Sequence, residues 1–207
     1  MEQIMAYPAT SLLIAANVVA SLIALSNRPF MEKNLFHVGP ILQQREWHRM
    51  LTSGFLHGGL LHLFVNMYVL YMFGSLIEGA LGTFGYLIVY FAALLGGNLW
   101  SLLENKIKPA YRALGASGAT SGIVMSFTLF APFESLYFFP IPIPIPAVIL
   151  AVIFIVASAI LARRENKVIG HEAHLGGALA GILATIAVEP RALSIFSNQI
   201  AQALGGG

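Results

Sequence analysis

Residues 50–103 read MLTSGFLHGGLLHLFVNMYVLYMFGSLIEGALGTFGYLIVYFAALLGGNLWSLL, and across them the only charge is Glu78. On either side of Glu78 the uncharged run is longer than the roughly 20 helical residues needed to cross about 30 Å of hydrocarbon. Two membrane spans joined by a tight turn at Glu78 are therefore predicted, at about 55–77 and 81–103. The same reading extends outward. Charge-free runs predict further spans at about 5–27, 115–133 and 172–189, and one at 146–162. That last run is preceded by Pro140, Pro142 and Pro144. Alternating prolines cannot be helix interior, so 134–145 is expected to be an extended connector, with Pro146 in the first helical turn.

Composition agrees with lipid as the main solvent. Apolar residues make up 57% of the 207 and charged residues 10%, against roughly 25% charged in soluble domains. The expected fold class is all-α, a polytopic six-span membrane protein forming one domain over 1–207, with both termini on one side. Residues 191–207, ending in three glycines, are expected to be a weakly ordered tail. The net charge of +2 comes from cations scattered between apolar runs, which excludes a continuous basic face for nucleic acid. The absence of cysteine excludes disulfides and a thiol nucleophile. Ten of the eleven Lys and Arg residues fall in the loops after spans one, three and five, which the positive-inside rule places in the cytoplasm.

Polar side chains inside a span are costly and need a reason. His62 and Asn66 are four apart and share a helix face, with His57 shortly before them. Alone, such a pair reads first as interhelical hydrogen bonding. Gly115-Ala116-Ser117-Gly118 opens the fourth span, and Gly122 follows. Small-xxx-small spacing has an ordinary packing explanation. His174, Gly177 and Gly181, at i, i+3 and i+7, form one stripe of the last span. A serine hydroxyl lies one bond beyond Cβ, so a histidine on another helix reaches it only where the backbones come unusually close. Glycines beside Ser117 and along the His174 stripe supply that approach, and they raise a serine–histidine hydrolase above the packing explanation.

Other chemistries fit less well. His171 and His174 are three apart, not the four of an HExxH zinc helix, so no metal or other cofactor is expected. All nine acidic residues are glutamate, which excludes a Ser-His-Asp triad. Glu172, at i−2 from His174, projects from another helix face.

Assembled, these residues resemble the rhomboid intramembrane serine proteases over nearly the whole chain. The likeness rests on Trp47-His48-Arg49; His57 with His62-Leu-Phe-Val-Asn66; Gly74-xxx-Glu78-xxx-Gly82; Gly115-Ala116-Ser117-Gly118; and Ala173-His174-xx-Gly177-xxx-Gly181. The resemblance implies a six-helix bundle of the basic, bacterial type, with its active site in a wet cavity below one membrane face. It implies Ser117 as nucleophile and His174 as general base. The oxyanion would be held by the Ser117 backbone N–H and the Asn66 and His62 side chains. Gly115, Gly118, Gly177, Gly181 and His57 would support the site. The implied substrates are transmembrane helices of other proteins. The implied site opens extracytoplasmically, opposite to the side that the cation distribution indicates.

Two positions depart from the pattern. Ser121 stands where the family often carries an aromatic ring, and His171 is an extra histidine, read as a loop residue. A helix-binding relative without proteolysis and a small transporter with a histidine proton relay are the competing functions. Substrate identity and oligomeric state are not legible.

Overall fold

The structure is a computed structural model that describes residues 6–138, 141–150, 153 and 171–205. Its described part is mainly helical. The expected fifth span, 146–162, lies mostly outside those residues; residues 147–150 and 153 are helical.

Helix α1, Pro8–Ser26, starts with proline in its first turn. Its buried stripe of Ala9, Leu13, Asn17 and Ser21 recurs every four residues, while Leu12, Val19 and Leu22 face outward. The orphan N–H groups of Ala9 and Thr10 find their acceptor far along the chain. They donate to the two Glu78 carboxylate oxygens at 3.0 and 2.8 Å, and Thr83 Oγ1 donates to the same carboxylate at 2.8 Å. Glu78 is thus a capping side chain supplied by another span, which explains why a buried acid is tolerated here.

The first loop folds as α2, Arg28–Asn34, then β1, Phe36–His37, α3, Val38–Gln43, and α4, Arg49–Thr52. Arg49 is buried and donates to the Glu32 and Leu35 carbonyls at 2.7 and 2.9 Å and to Glu46 at 2.6 Å. Strand β1 pairs antiparallel with β2, Arg112–Ala113, with Phe36 opposite Ala113. The loop is thereby fastened to the segment that leads into Ser117.

Helix α5, Leu60–Val69, continues through a π-helical turn, Leu70–Gly74, into α6, Ser75–Asn105. The run of 46 residues would be roughly 69 Å long if straight, over twice the hydrocarbon thickness. It is not straight. Gly82 has φ +71°, and a Cβ on Gly74 would lie 2.9 Å from the Tyr86 hydroxyl. Twelve helical residues would separate those two by about 18 Å, so the chain folds back on itself. The turn is therefore at Gly82, not Glu78 as expected. Gly82 takes a left-handed conformation that disfavours side chains, whereas Glu78 is occupied as a cap.

Helix α7, Ser117–Phe130, packs against α6 and against α8, His171–Val188. It is shorter than the expected span 115–133. The connector after it is an antiparallel hairpin, β3, Ser135–Phe138, with β4, Ile141–Pro146. Prolines at alternate positions remove N–H groups from one edge of β4 only. The edge with intact donors pairs with β3, and the other is closed to further strands.

Two expectations are corrected at the C-terminal end. His171 is the first residue of α8, not part of a loop. Residues expected as a weakly ordered tail form helix α9, Arg191–Ala203, bent by 107° from α8. Ala192, Ile195, Phe196 and Ile200 share its inner face by i, i+3, i+4 and i+8 spacing, and Gln199 Nε2 donates to the Phe130 carbonyl at 2.8 Å. These contacts with the end of α7 order a segment whose sequence alone promised little burial.

Candidate active site

Ser117 and His174 line one cavity of about 260 Å³, together with His62, Asn66, Thr120 and Ser121. Four elements meet there: α5 brings His62 and Asn66, α7 brings Ser117, Thr120 and Ser121, α8 brings His174, and Leu150 closes one wall. Glycine explains how the helices come so near. A Cβ on Gly177 would fall inside 3.0 Å of three Gly118 backbone atoms, and one on Gly181 would do the same with Gly122. At Gly118 a Cβ would lie 3.2 Å from the Ala173 carbonyl oxygen. Ser117 and His174 are the chain neighbours of this closest crossing.

Sequence reasoning anticipated those glycines but missed a second crossing. A Cβ on Gly97 would fall inside 3.0 Å of the Ala173 carbonyl oxygen, and one on Gly96 inside 3.0 Å of the Ala180 Cβ. Helix α6 thus also packs directly on α8, and Gly97 and Gly118 both approach the Ala173 carbonyl oxygen. The signal was present as adjacent glycines in the middle of the third span.

Ser117 is the first residue of α7, so the N–H groups of the first turn have no partner within the helix and converge on its N-terminal end. Gly115, with φ +125°, turns the chain into that end. A Cβ at this position would sit 2.8 Å from His62 Cε1 and 3.7 Å from Ser117 Oγ. Only glycine leaves room for the imidazole beside the serine.

His57 acts from behind. It is fully buried and meets His62 edge to face, with ring centroids 4.9 Å apart. The Ala116 N–H donates to His57 Nε2 at 3.4 Å, and Ser21 Oγ lies 2.8 Å from Nδ1 and donates to the Phe55 carbonyl at 3.1 Å. One proton arrangement satisfies all three contacts. Nε2 accepts, Nδ1–H donates to Ser21, and the serine proton goes to Phe55. The Gly115–Ala116 peptide, one residue ahead of Ser117, is thereby tied to α1. Ser21 carried no recognisable signal in the sequence, being one serine in an apolar helix.

Asn66 Nδ2 donates to the His62 carbonyl at 2.9 Å, which uses one of its two hydrogens, and Asn66 Oδ1 accepts from Thr120 Oγ1 at 3.2 Å. The bond to His62 fixes which way the amide faces, because a carbonyl only accepts; the single Thr120 proton also has the Ser117 carbonyl within 3.2 Å. Ser121 is buried, and its hydroxyl donates to the Ser117 carbonyl one turn back, so it is satisfied inside its own helix. Two residues before His174, Glu172 is buried and accepts from the Tyr111 hydroxyl at 3.4 Å. Burial, with the Glu172 charge beside it, pushes the Tyr111 phenol up and keeps it protonated. Burial and then the charge of Arg112 push His37 down. No group of three His, Cys, Asp or Glu side chains that could hold a metal ion occurs among the described residues.

A family model of the rhomboid domain matches residues 44–191, which contain every element of this cavity. The chain belongs to the rhomboid family. Its apolar helices make it an integral membrane protein, since Pro8–Ser26 and the Leu60–Asn105 run are long and apolar enough to cross a bilayer. RHOMBOID-like protein 12, mitochondrial, of Arabidopsis thaliana is 32% identical over 176 residues, covering 76% of this chain and 51% of that protein. Rhomboid protease GluP of Bacillus subtilis is 26% identical over 164 residues, covering 79% of this chain and 30% of its own length. The mitochondrial presenilin-associated rhomboid-like protein of Homo sapiens is 33% identical over 149 residues, with coverages of 64% and 36%. The chain thus spans about half the length, or less, of these curated relatives.

Proposed function

We propose that this rhomboid is an intramembrane serine endopeptidase that cuts transmembrane helices of other membrane proteins. A single observation carries the proposal. Ser117 and His174 share one small cavity, at a helix crossing where glycine lets the backbones touch. A relative named as a rhomboid protease supports the same reading.

In this mechanism a neutral His174 takes the Ser117 Oγ proton as the oxygen attacks the scissile carbonyl. The tetrahedral oxyanion is met by the Ser117 N–H, the remaining Asn66 Nδ2 hydrogen and His62, donors each worth on the order of 10²–10³ in rate. His174 then protonates the departing amine, and water hydrolyses the acyl-enzyme by the reverse proton path. We read the enclosing fold as one domain of six spans, the fifth following the strand that ends at Pro146.

The test is cleavage of a transmembrane-helix reporter by wild type, Ser117→Ala and His174→Ala, with folding checked by thermal unfolding. Both variants are expected to lose cleavage while remaining folded. Persistent cleavage in either would overturn the assigned roles, and a folded wild type that binds reporters uncut would favour a helix-binding function.

A further inference from the structure

Helix α8 has 18 residues and spans roughly 27 Å, close to the hydrocarbon thickness of a bilayer. Its last residue, Val188, therefore stands near a membrane boundary. Two residues later α9 departs at 107°, which lays it along that boundary. The Glu189–Arg191 ion pair at the corner, 2.8 Å long, is exposed on its arginine side, as expected where water begins. Arg191 is the only charge in α9.

The side of α9 that faces the bundle is marked by buried Ala192, half-buried Ile195 and Phe196, and Gln199 on the Phe130 carbonyl. The apolar arc does not coincide with that side. At about 100° per residue, Leu193 and Leu204 lie some 100–120° round from Ala192, beyond reach of the bundle. They are 53% and 83% exposed. Asn198 and Gln202, at about 240° and 280°, occupy the opposite flank, with Ser197 at about 140° bordering the leucines and Ser194 at about 200° between the two. Three environments are thus written on one helix: protein, water, and a third that is apolar, as are the outward-facing Leu179 and Leu183 of the α8 span.

We propose that α9 is an interfacial helix whose Leu193–Leu204 flank is embedded in the lipid leaflet at the Phe130 end of the bundle. Through Gln199 it holds the C-terminal end of α7 at that boundary. Helix α7 has 14 residues and spans roughly 21 Å, so its other end, Ser117, is held about 9 Å short of the opposite boundary. The lipid contact thereby sets the depth of the nucleophile-bearing turn.

The chain has no cysteine, so single spin labels can be placed without background. Leu193→Cys, Asn198→Cys and Leu204→Cys are labelled in the full chain and reconstituted at high lipid-to-protein ratio in phosphatidylcholine vesicles. Collision with oxygen, which partitions into lipid, is compared with collision with a water-soluble nickel chelate. The oxygen-to-nickel ratio is expected to be at least about fivefold higher at 193 and 204 than at 198. Equal nickel access at all three positions would overturn the proposal, because α9 would then lie in water. Protection of 193 from both reagents would also overturn it, in favour of a second copy or a protein partner. A further measurement leaves helix packing intact in its reference: with the label at 198, adding Leu193→Asp and Leu204→Asp is expected to raise label mobility. Unchanged mobility in that variant would count against lipid anchoring.

Discussion

Replacing Gly177 by alanine tests the idea that backbone proximity is what makes this site. The new Cβ would meet the Gly118 carbonyl oxygen, carbon and Cα well inside 3.0 Å. Those are backbone atoms of a helix and cannot swing aside. Helices α7 and α8 must therefore separate by roughly 1 Å at the level of Ser117 and His174, and overpacking of this kind costs about 1–3 kcal/mol in stability. A displacement of that size between reacting groups lowers rate by about 10², equivalent to about 2.7 kcal/mol in the barrier. Cleavage of a transmembrane reporter by Gly177→Ala is thus expected to fall about a hundredfold, with a measurable drop in Tm. Gly79→Ala is the matched control. Its Cβ would meet only the Tyr7 side chain, at 3.4 Å from Cε1 and 3.9 Å from the hydroxyl, and alanine is favoured over glycine in a helix by about 1 kcal/mol, so activity and stability should be retained. A folded Gly177→Ala that cleaves within about threefold of wild type would refute the reasoning.

Other predictions follow from individual contacts. Glu78→Ala strips the acceptor from the Ala9 and Thr10 N–H groups and from Thr83, and thermal unfolding should show a loss of about 3 kcal/mol. His57→Phe keeps a ring against His62 but leaves the Ala116 N–H without its acceptor; kcat should fall about tenfold as the turn before Ser117 loosens, with KM little changed. The Arg49 hydrogen bond holds the Glu46 carboxyl below its ordinary range. A lowered folded pKa means the stabilisation is present above the unfolded pKa and is lost as pH falls through the folded one. The Tm difference between wild type and Glu46→Gln should therefore be present at neutral pH and vanish in acid.

Much of the site was legible because its chemistry is local. His62 and Asn66 are four apart, and His174, Gly177 and Gly181 repeat on one helix face, so periodicity alone aligned them. The links between elements were not legible. Nothing near Ser21 in sequence indicates that its hydroxyl lies 2.8 Å from His57, and nothing marks Thr120 as the partner of Asn66. Gly82 shows the limit within one motif. Glu78 and Gly82 both punctuate an apolar run, and only the fold assigns the turn to the glycine and the cap to the glutamate.

From sequence alone, then, the solvent and the candidate chemistry were determined. Uncharged runs long enough to cross hydrocarbon demand lipid, because backbone polar groups there must be satisfied inside helices. Polar and glycine residues in such runs stand out because each is costly or purposeless without a role. Only the tertiary structure decided how the helices meet: that Gly118 of α7 and Gly97 of α6 both close on Ala173 of α8, and that α9 turns across the end of α7. Helix crossings depend on which faces of distant segments fill each other's space, and that complementarity is a property of pairs of segments that the periodicity of either one does not contain.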